Sequence, residues 1–220
     1  MKRFFITGTD TDCGKTYATC SLLDTLNQRQ NKAIGLKPVA TGCVEQNGQL
    51  YSEDALLIQE NNLNQTLNIN KWSFKPPVSP HIAAKEAGTL ITTGDIIRFC
   101  NSEPFQNNDI MLIEGAGGLL VPFNEEETWI DFLRQTAIPV IVVVGMRLGC
   151  INHALMTAEV LRANQIECAG WIANCLDKNM LYLKENLSII TTKMNMPRLA
   201  TIPYKGKVTG LSEQSMLQAC

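Results

Sequence analysis

No CxxC pair occurs among the eight cysteines, at positions 13, 20, 43, 100, 150, 168, 175 and 220, and the two histidines, His81 and His153, sit in no metal-ligand spacing. Without a zinc or disulfide framework, most of the cysteines read as reduced, half-apolar packing residues. There is no run of Lys or Arg, and the net charge of −2 offers polyanions no general attraction, which argues against a nucleic-acid or membrane-surface partner. Long hydrophobic runs are missing too. The longest, residues 138–144, is too short to span a bilayer. Lys2 and Arg3 before Phe4, Phe5 and Ile6 imitate a signal peptide only as far as Thr7, so a cytoplasmic protein is expected. No repeat, linker or second-domain boundary interrupts the 220 residues. With 45% hydrophobic and 18% charged residues, they suit one α/β domain, 1–220, with a core of its own.

What is present alternates between strand and helix patterns. Residues 3–7, 33–37, 110–114, 140–145, 168–174 and 199–202 read as strands, several of them continuous apolar runs of the kind buried on both faces of a parallel sheet. Helical stretches fall between them at 15–28, 52–61, 94–101, 152–164 and 180–193. The fourth of these lines up Ile151, Leu155, Ala158 and Leu161. Right-handed crossovers between parallel strands imply a doubly wound α/β sheet with helices on both faces. Residues 38–108 are less regular. The asparagine-rich "NNLNQTLNIN" and the proline-rich "FKPPVSPHIAA" read as connection, in an insertion at the sheet's edge that shapes a substrate site.

Gly8 through Thr16 follows the first strand and opens the first helix, the context a P-loop needs. Five residues separate Gly8 from Gly14-Lys15-Thr16, one more than the standard spacing. Gly14 clears a path for phosphate oxygens to the backbone, and the helix points free N–H groups at them. Lys15 would neutralise phosphate charge and the Thr16 hydroxyl would ligate Mg²⁺. In "DIMLIEGAGG" a strand ends in Glu114, where ligands bind in open α/β sheets, and a carboxylate there suits Mg²⁺. Lys37 ends the second strand before Pro38, which forces an extended exit. Asp54 opens a helix, where the dipole alone favours an acid.

"TGTDTDCGKT", "GLKPVATG", "EGAGG", "VVVGMRLGCINHALMTAEVL" and "GWIANC", in that order, resemble the dethiobiotin synthetase family over nearly the whole chain. The resemblance implies a P-loop NTPase-like fold and ATP-dependent ring closure of 7,8-diaminononanoate with CO₂, in biotin synthesis. It implies a nucleotide site at Asp12, Cys13, Gly14, Lys15, Thr16, Asp54, Glu114, Gly115, Ala116, Gly117, Asn174 and Cys175, with Pro203, Tyr204 and Lys205 around the base. Asn174 would read the adenine edge, since an amide can accept from N6 and donate to N7. Thr16, Asp54 and Glu114 would hold Mg²⁺. Lys15 and Lys37 would stabilise carbamate and γ-phosphate charge, and Thr11 and Thr41 would contact the diamine. Asp12, Cys13 and Thr41 stand where the family has glutamate, valine and serine; through a water, the shorter Asp12 carboxylate could still reach its target. Carboxylates beside an anion cradle make sense if the loop also handles a diamine and a cation, and Asp10 can tie down loop amides.

The resemblance further implies a homodimer in which Gly149, Cys150 and Asn152 bind the substrate carboxylate of the partner subunit, at a helix start rich in free N–H groups. The alternative reading on the same fold is an ATPase switch that positions DNA or membrane cargo. Such a switch would carry an extra lysine early in its P-loop, and residues 9–13 contain none; the tail "LSEQSMLQAC" forms no amphipathic anchor. A glutamine-dependent amide ligase would need a further glutaminase domain.

Overall fold

The computed structural model of the chain describes residues 1–212, 216 and 217. The expectation about the 211–220 tail therefore falls largely outside the described residues, since 213–215 and 218–220 are not among them. In chain order the elements are β1 (Lys2–Gly8), α1 (Lys15–Gln28), β2 (Ala33–Leu36), β3 (Val39–Ala40), β4 (Val44–Gln46), β5 (Gln49–Tyr51), α2 (Glu53–Asn61), β6 (Trp72–Ser73), α3 (Pro80–Glu86), α4 (Thr93–Cys100), β7 (Ile110–Glu114), α5 (Trp129–Thr136), β8 (Val140–Met146), α6 (Cys150–Ala163), β9 (Cys168–Cys175), α7 (Leu183–Met194) and β10 (Arg198–Ile202).

Six strands form one parallel sheet in the order β10-β9-β8-β1-β7-β2. The four inner strands are apolar on both faces because helices cover both; all seven residues of β8 are buried. The order changes direction between β1 and its neighbours β8 and β7, which opens a crevice above their carboxyl ends. Both the loop after β1 and Glu114 at the end of β7 lie there.

β2 is an edge strand, and Asn62 closes part of that edge. Its amide accepts from Gly35 N–H at 2.7 Å and donates to Gly35 C=O at 3.0 Å, as a neighbouring strand would. A Cβ at Gly35 would lie 2.6 Å from Ile58 and 2.8 Å from Leu23, so glycine lets α1 and α2 press onto β2. The other asparagines of that segment also replace backbone partners. Asn64 and Asn68 accept from amides two residues on, and Asn70 donates to the Lys37 carbonyl at 2.7 Å. The segment is connection, as its composition implies, held by its own amides.

Three expectations need correction. Residues 80–86 of the proline-rich stretch form α3, because Pro80 occupies the first helical turn, where its missing N–H costs nothing. The sequence reading also passed over α5, although Thr128 and Asp131 form a capping box that marks its start. The third concerns α6, whose buried face is Cys150, Ala154, Ala158 and Leu161, with Ile151 and Leu155 only half-buried on its shoulder. Small residues face the sheet there, which allows close packing. Among the described residues no helix is long and apolar enough to cross a membrane.

Candidate active site

The P-loop is shaped by two close approaches and one left-handed turn. Gly14 has φ +86°, and a Cβ there would fall 2.0 Å from Asn174 Nδ2. A Cβ on Gly8 would fall 2.3 Å from Cys13 Sγ, so the cysteine packs back under its own loop. Asp12 turns the chain with φ 55°, leaving its side chain exposed at the mouth of the site. Asp10, the first of the two loop acids, accepts from Thr11 N–H at 2.8 Å and from Arg147 Nη2 at 2.7 Å. It is thus a scaffold for the loop, pinned to the β8–α6 turn.

Glu114 is fully buried and gathers three side chains. Oε1 accepts from Thr16 Oγ1 at 2.8 Å and from Lys37 Nζ at 2.7 Å, and Oε2 accepts from Thr19 Oγ1 at 2.6 Å. Lys37 reaches in from the residue after β2, donates to the Gly115 carbonyl at 3.2 Å and lies 3.5 Å from Asp54 Oδ2. Burial alone would pull the Lys37 ammonium down, but the charges of Glu114 and then Asp54 outweigh it and leave its pKa above the ordinary lysine value of 10.5. Lys15 folds over the loop and donates to the Asp10 carbonyl at 3.1 Å. Cys20, one turn further along α1, has its thiol pushed up to about 12 by burial and by the charges of Glu114 and Asp54, so it is no nucleophile at neutral pH.

A cleft of about 940 Å³ runs past these groups. Thr11, Asp12, Gly14, Lys15, Thr16, Lys37, Thr41, Asp54, Ala116 and Gly117 all line it, although they come from five separate stretches of chain. Its other wall is apolar, with Leu57, Pro77, Val78, Pro80 and Val121. The glycine-rich loop after β7 is fixed from below: a Cβ at Gly115 would strike the Phe5 ring at 2.5 Å, and Trp129 Nε1 donates to the Ala116 carbonyl at 3.0 Å.

The structure leaves other expected residues outside this cleft. Gly149, Cys150 and Asn152 line a separate recess of about 430 Å³ with Arg147, Leu155 and Asn186. Pro203, Tyr204 and Lys205 lie exposed past β10, and Cys175 is buried at the end of β9. Asn174 donates its Nδ2 to the Cys13 carbonyl at 2.9 Å, bracing the P-loop from β9. That position puts the amide beside the loop, with one of its donors engaged there.

A family model described as an AAA domain matches residues 2–212. The chain is 49% identical over 218 residues to an ATP-dependent dethiobiotin synthetase BioD of Legionella pneumophila subsp. pneumophila strain Philadelphia 1, across 98% of this chain and 100% of that protein. A BioD of Alteromonas mediterranea is 43% identical over 231 residues, across 100% of this chain and 98% of the relative.

The chain belongs to the ATP-dependent dethiobiotin synthetase family.

Among solved structures, the septum site-determining protein MinD with Mg-ADP from Pyrococcus horikoshii OT3 matches with TM-score 0.55 at 15% identity, over 99% of this chain and 86% of that one. A cell division protein FtsY from Thermotoga maritima matches with TM-score 0.52 at 12% identity, over 99% and 67%. At such identities these likenesses show the fold alone. The family is a nucleotide-using one, and the P-loop of this synthetase has the form that use requires.

Sequence reading of the synthetase missed Arg147, Thr19, Cys20 and Trp129. Arg147 and Trp129 act across long chain separations that no local motif marks. Thr19 and Cys20 follow the P-loop by one helical turn, and α1's position against Glu114 is what gives them neighbours.

Proposed function

We propose that this enzyme closes a cyclic urea on 7,8-diaminononanoate with CO₂ and ATP, giving dethiobiotin, ADP and phosphate. The observation that supports it best is the convergence of Lys15, Lys37 and Thr16 on one cleft with an apolar wall, with Glu114 buried behind Thr16 and Lys37. A simple switch has no use for a second buried lysine beside the phosphate loop. A ligase that gathers a carbamate and a γ-phosphate does.

In this reading one substrate amine attacks CO₂, loses a proton and becomes a carbamate. A carbamate oxygen attacks the γ-phosphorus and ADP leaves. The second amine then attacks the carbamoyl carbon, the C–O bond to phosphate breaks, and the ring is closed. Lys15 and Lys37 hold the negative charge that gathers on carbamate and phosphoryl oxygens, and the N–H groups of the α1 terminus orient the phosphates. Thr11 and Thr41 place the amines, and the apolar wall takes the substrate's alkyl chain. Asp12 at the cleft mouth attracts the diamine. In this reading Asn174 contacts the base edge, Pro203, Tyr204 and Lys205 flank the base, and Cys175 with Gly115–Gly117 frames the nucleotide.

The donor set fits Mg²⁺. The Lys37 ammonium lies between Glu114 and Asp54, so the two carboxylates already share one cation, and the Thr16 hydroxyl points at the same oxygen. Thr16, Asp54 and Glu114 would hold the ion. When bound, it would neutralise phosphate charge and polarise the phosphoryl group. The 1–220 chain works as one cytoplasmic P-loop domain in this reading. It pairs as a homodimer whose recess at Gly149, Cys150 and Asn152 receives the carboxylate of the partner's substrate, with no nucleic-acid or membrane partner.

Mass spectrometry of the product together with ADP release tests this. ADP should form only with both the diamine and bicarbonate, in step with a cyclic urea. Full turnover without the diamine would overturn the reading.

A further inference from the structure

Thr19 has no part in the chemistry above, yet it is fully buried with its hydroxyl 2.6 Å from Glu114 Oε2. The same hydroxyl lies 3.0 Å from the Lys15 carbonyl, four residues back, where a mid-helix threonine ordinarily bonds. A hydroxyl has one proton to give. The carboxylate takes it, because a hydrogen bond to an ionised acceptor is the stronger and the shorter, about 2.5–2.7 Å for O–H to carboxylate.

We propose that Thr19 is a positioning residue that ties down Glu114 Oε2, so that Oε1 is the oxygen presented to a divalent cation. Thr16 and Thr19 stand three residues apart on α1, hence on one face of the helix, and they take opposite oxygens of the same carboxylate. Oε1 already bears the cationic partner, Lys37, on the cleft side. Oε2 turns to the buried interior of α1, where Thr19 is 0% exposed. The backbone of Glu114 is fixed by β7, in register with Ile6 of β1, and burial confines its side chain, so the orientation of the carboxylate is the freedom that its hydrogen-bond donors decide. Thr19 removes it. A carboxylate without that donor would swing to share the donors of Oε1 and meet a cation in the wrong plane.

The proposal rests on Glu114 being a metal ligand, and Mn²⁺ binding to the full-length chain with ADP, read by electron paramagnetic resonance, separates the two claims. Thr19→Val should weaken Mn²⁺ binding about tenfold, the low end for partners behind a ligand, while Thr19→Ser should bind as wild type does. ADP affinity without metal should not change. Thr19→Ala replaces the valine variant if that one misfolds. Unchanged Mn²⁺ affinity in the hydroxyl-free variants would overturn the proposal. So would a serine variant as weak as the valine one, because the methyl group would then be responsible. If Glu114→Gln leaves Mn²⁺ binding intact, the metal reading itself fails; if Glu114→Gln loses it and Thr19→Val keeps it, only the role of Thr19 falls.

Discussion

Lys37 is the residue on which the proposed chemistry turns, and its surroundings define what removing it should do. It is 3% exposed and paired with a fully buried carboxylate. Its charge is useful where negative charge gathers, so Lys37→Ala should lower kcat by about 10²–10³-fold with a smaller rise in KM. Initial-rate kinetics decide this; an unchanged kcat would make Lys37 a structural counter-ion. Asp12→Ala should behave differently and chiefly raise the KM for the diamine, since its carboxylate sits exposed at the cleft mouth. The sign of the pH effect follows from the raised Lys37 pKa. A group whose folded pKa exceeds its unfolded value stabilises fully below the unfolded value, here 10.5, and loses that contribution as pH rises through the folded value. Urea unfolding of wild type and Lys37→Met should therefore differ by a constant amount from pH 7 to about 9.5 and converge only above 10.5. Convergence below pH 9 would contradict the pairing.

At the scale of elements, the loop after β1 and the loop after β7 are each held by something distant. Arg147 of the β8–α6 turn pins Asp10, and Asn174 of β9 pins Cys13. Trp129 of α5 pins Ala116 and packs in tilted and edge-on contacts with Phe5, Phe123 and Phe132, with ring centroids 5.1–5.9 Å away. Helix α5 depends on its capping box, in which Thr128 accepts from Ile130 N–H while Asp131 accepts from Thr128 N–H at 2.8 Å. Thr128→Ala should cost about 1 kcal/mol, lowering Tm by about 2–4 °C for a chain of this size. Calorimetry measures the loss. Because Trp129 is anchored independently by its ring contacts, kcat at a temperature well below Tm should hold; a fall in kcat would show that the cap transmits order to the glycine loop.

For the whole molecule, the separation of the two recesses carries the sharpest consequence. The cleft has Lys15 of the phosphate loop, Lys37 and an apolar wall, while Gly149, Cys150 and Asn152 belong to another recess, lined also by the Arg147 that pairs with Asp10. Leu148 in that recess is fully exposed and Met156 on α6 is 56% exposed, apolar side chains that the proposed homodimer would cover. If the chain pairs as the proposed homodimer with composite sites, mixing Lys15→Ala with Gly149→Trp should restore activity, because one site in each mixed dimer would combine intact halves. A Cβ at Gly149 meets nothing within 4 Å, although its φ of +93° strains any larger residue, so the variant's fold must be verified first. No recovery after demonstrated subunit exchange would mean that each chain binds its substrate alone.

The sequence by itself determined the alternating strands and helices, because two-sided burial writes continuous apolar runs that local composition cannot hide. It also determined the phosphate loop, since Gly14, Lys15 and Thr16 act through their own backbone and the helix that they begin. Helix α3 was obscured by prolines that serve as its start, and α5 was legible in its capping box but not in its length. Tertiary structure alone decided which residues meet. Asp54, Glu114 and Thr19 come from α2, β7 and α1 and Lys37 from the residue after β2, and only the order β1-β7-β2 with α1 and α2 packed above it brings them within 4 Å of a neighbour. It also decided that Asp10 binds Arg147, a pairing across 137 residues of chain. Ion pairs and buried hydrogen bonds depend on distance and on the exclusion of water, and a sequence records neither until the sheet has closed around them.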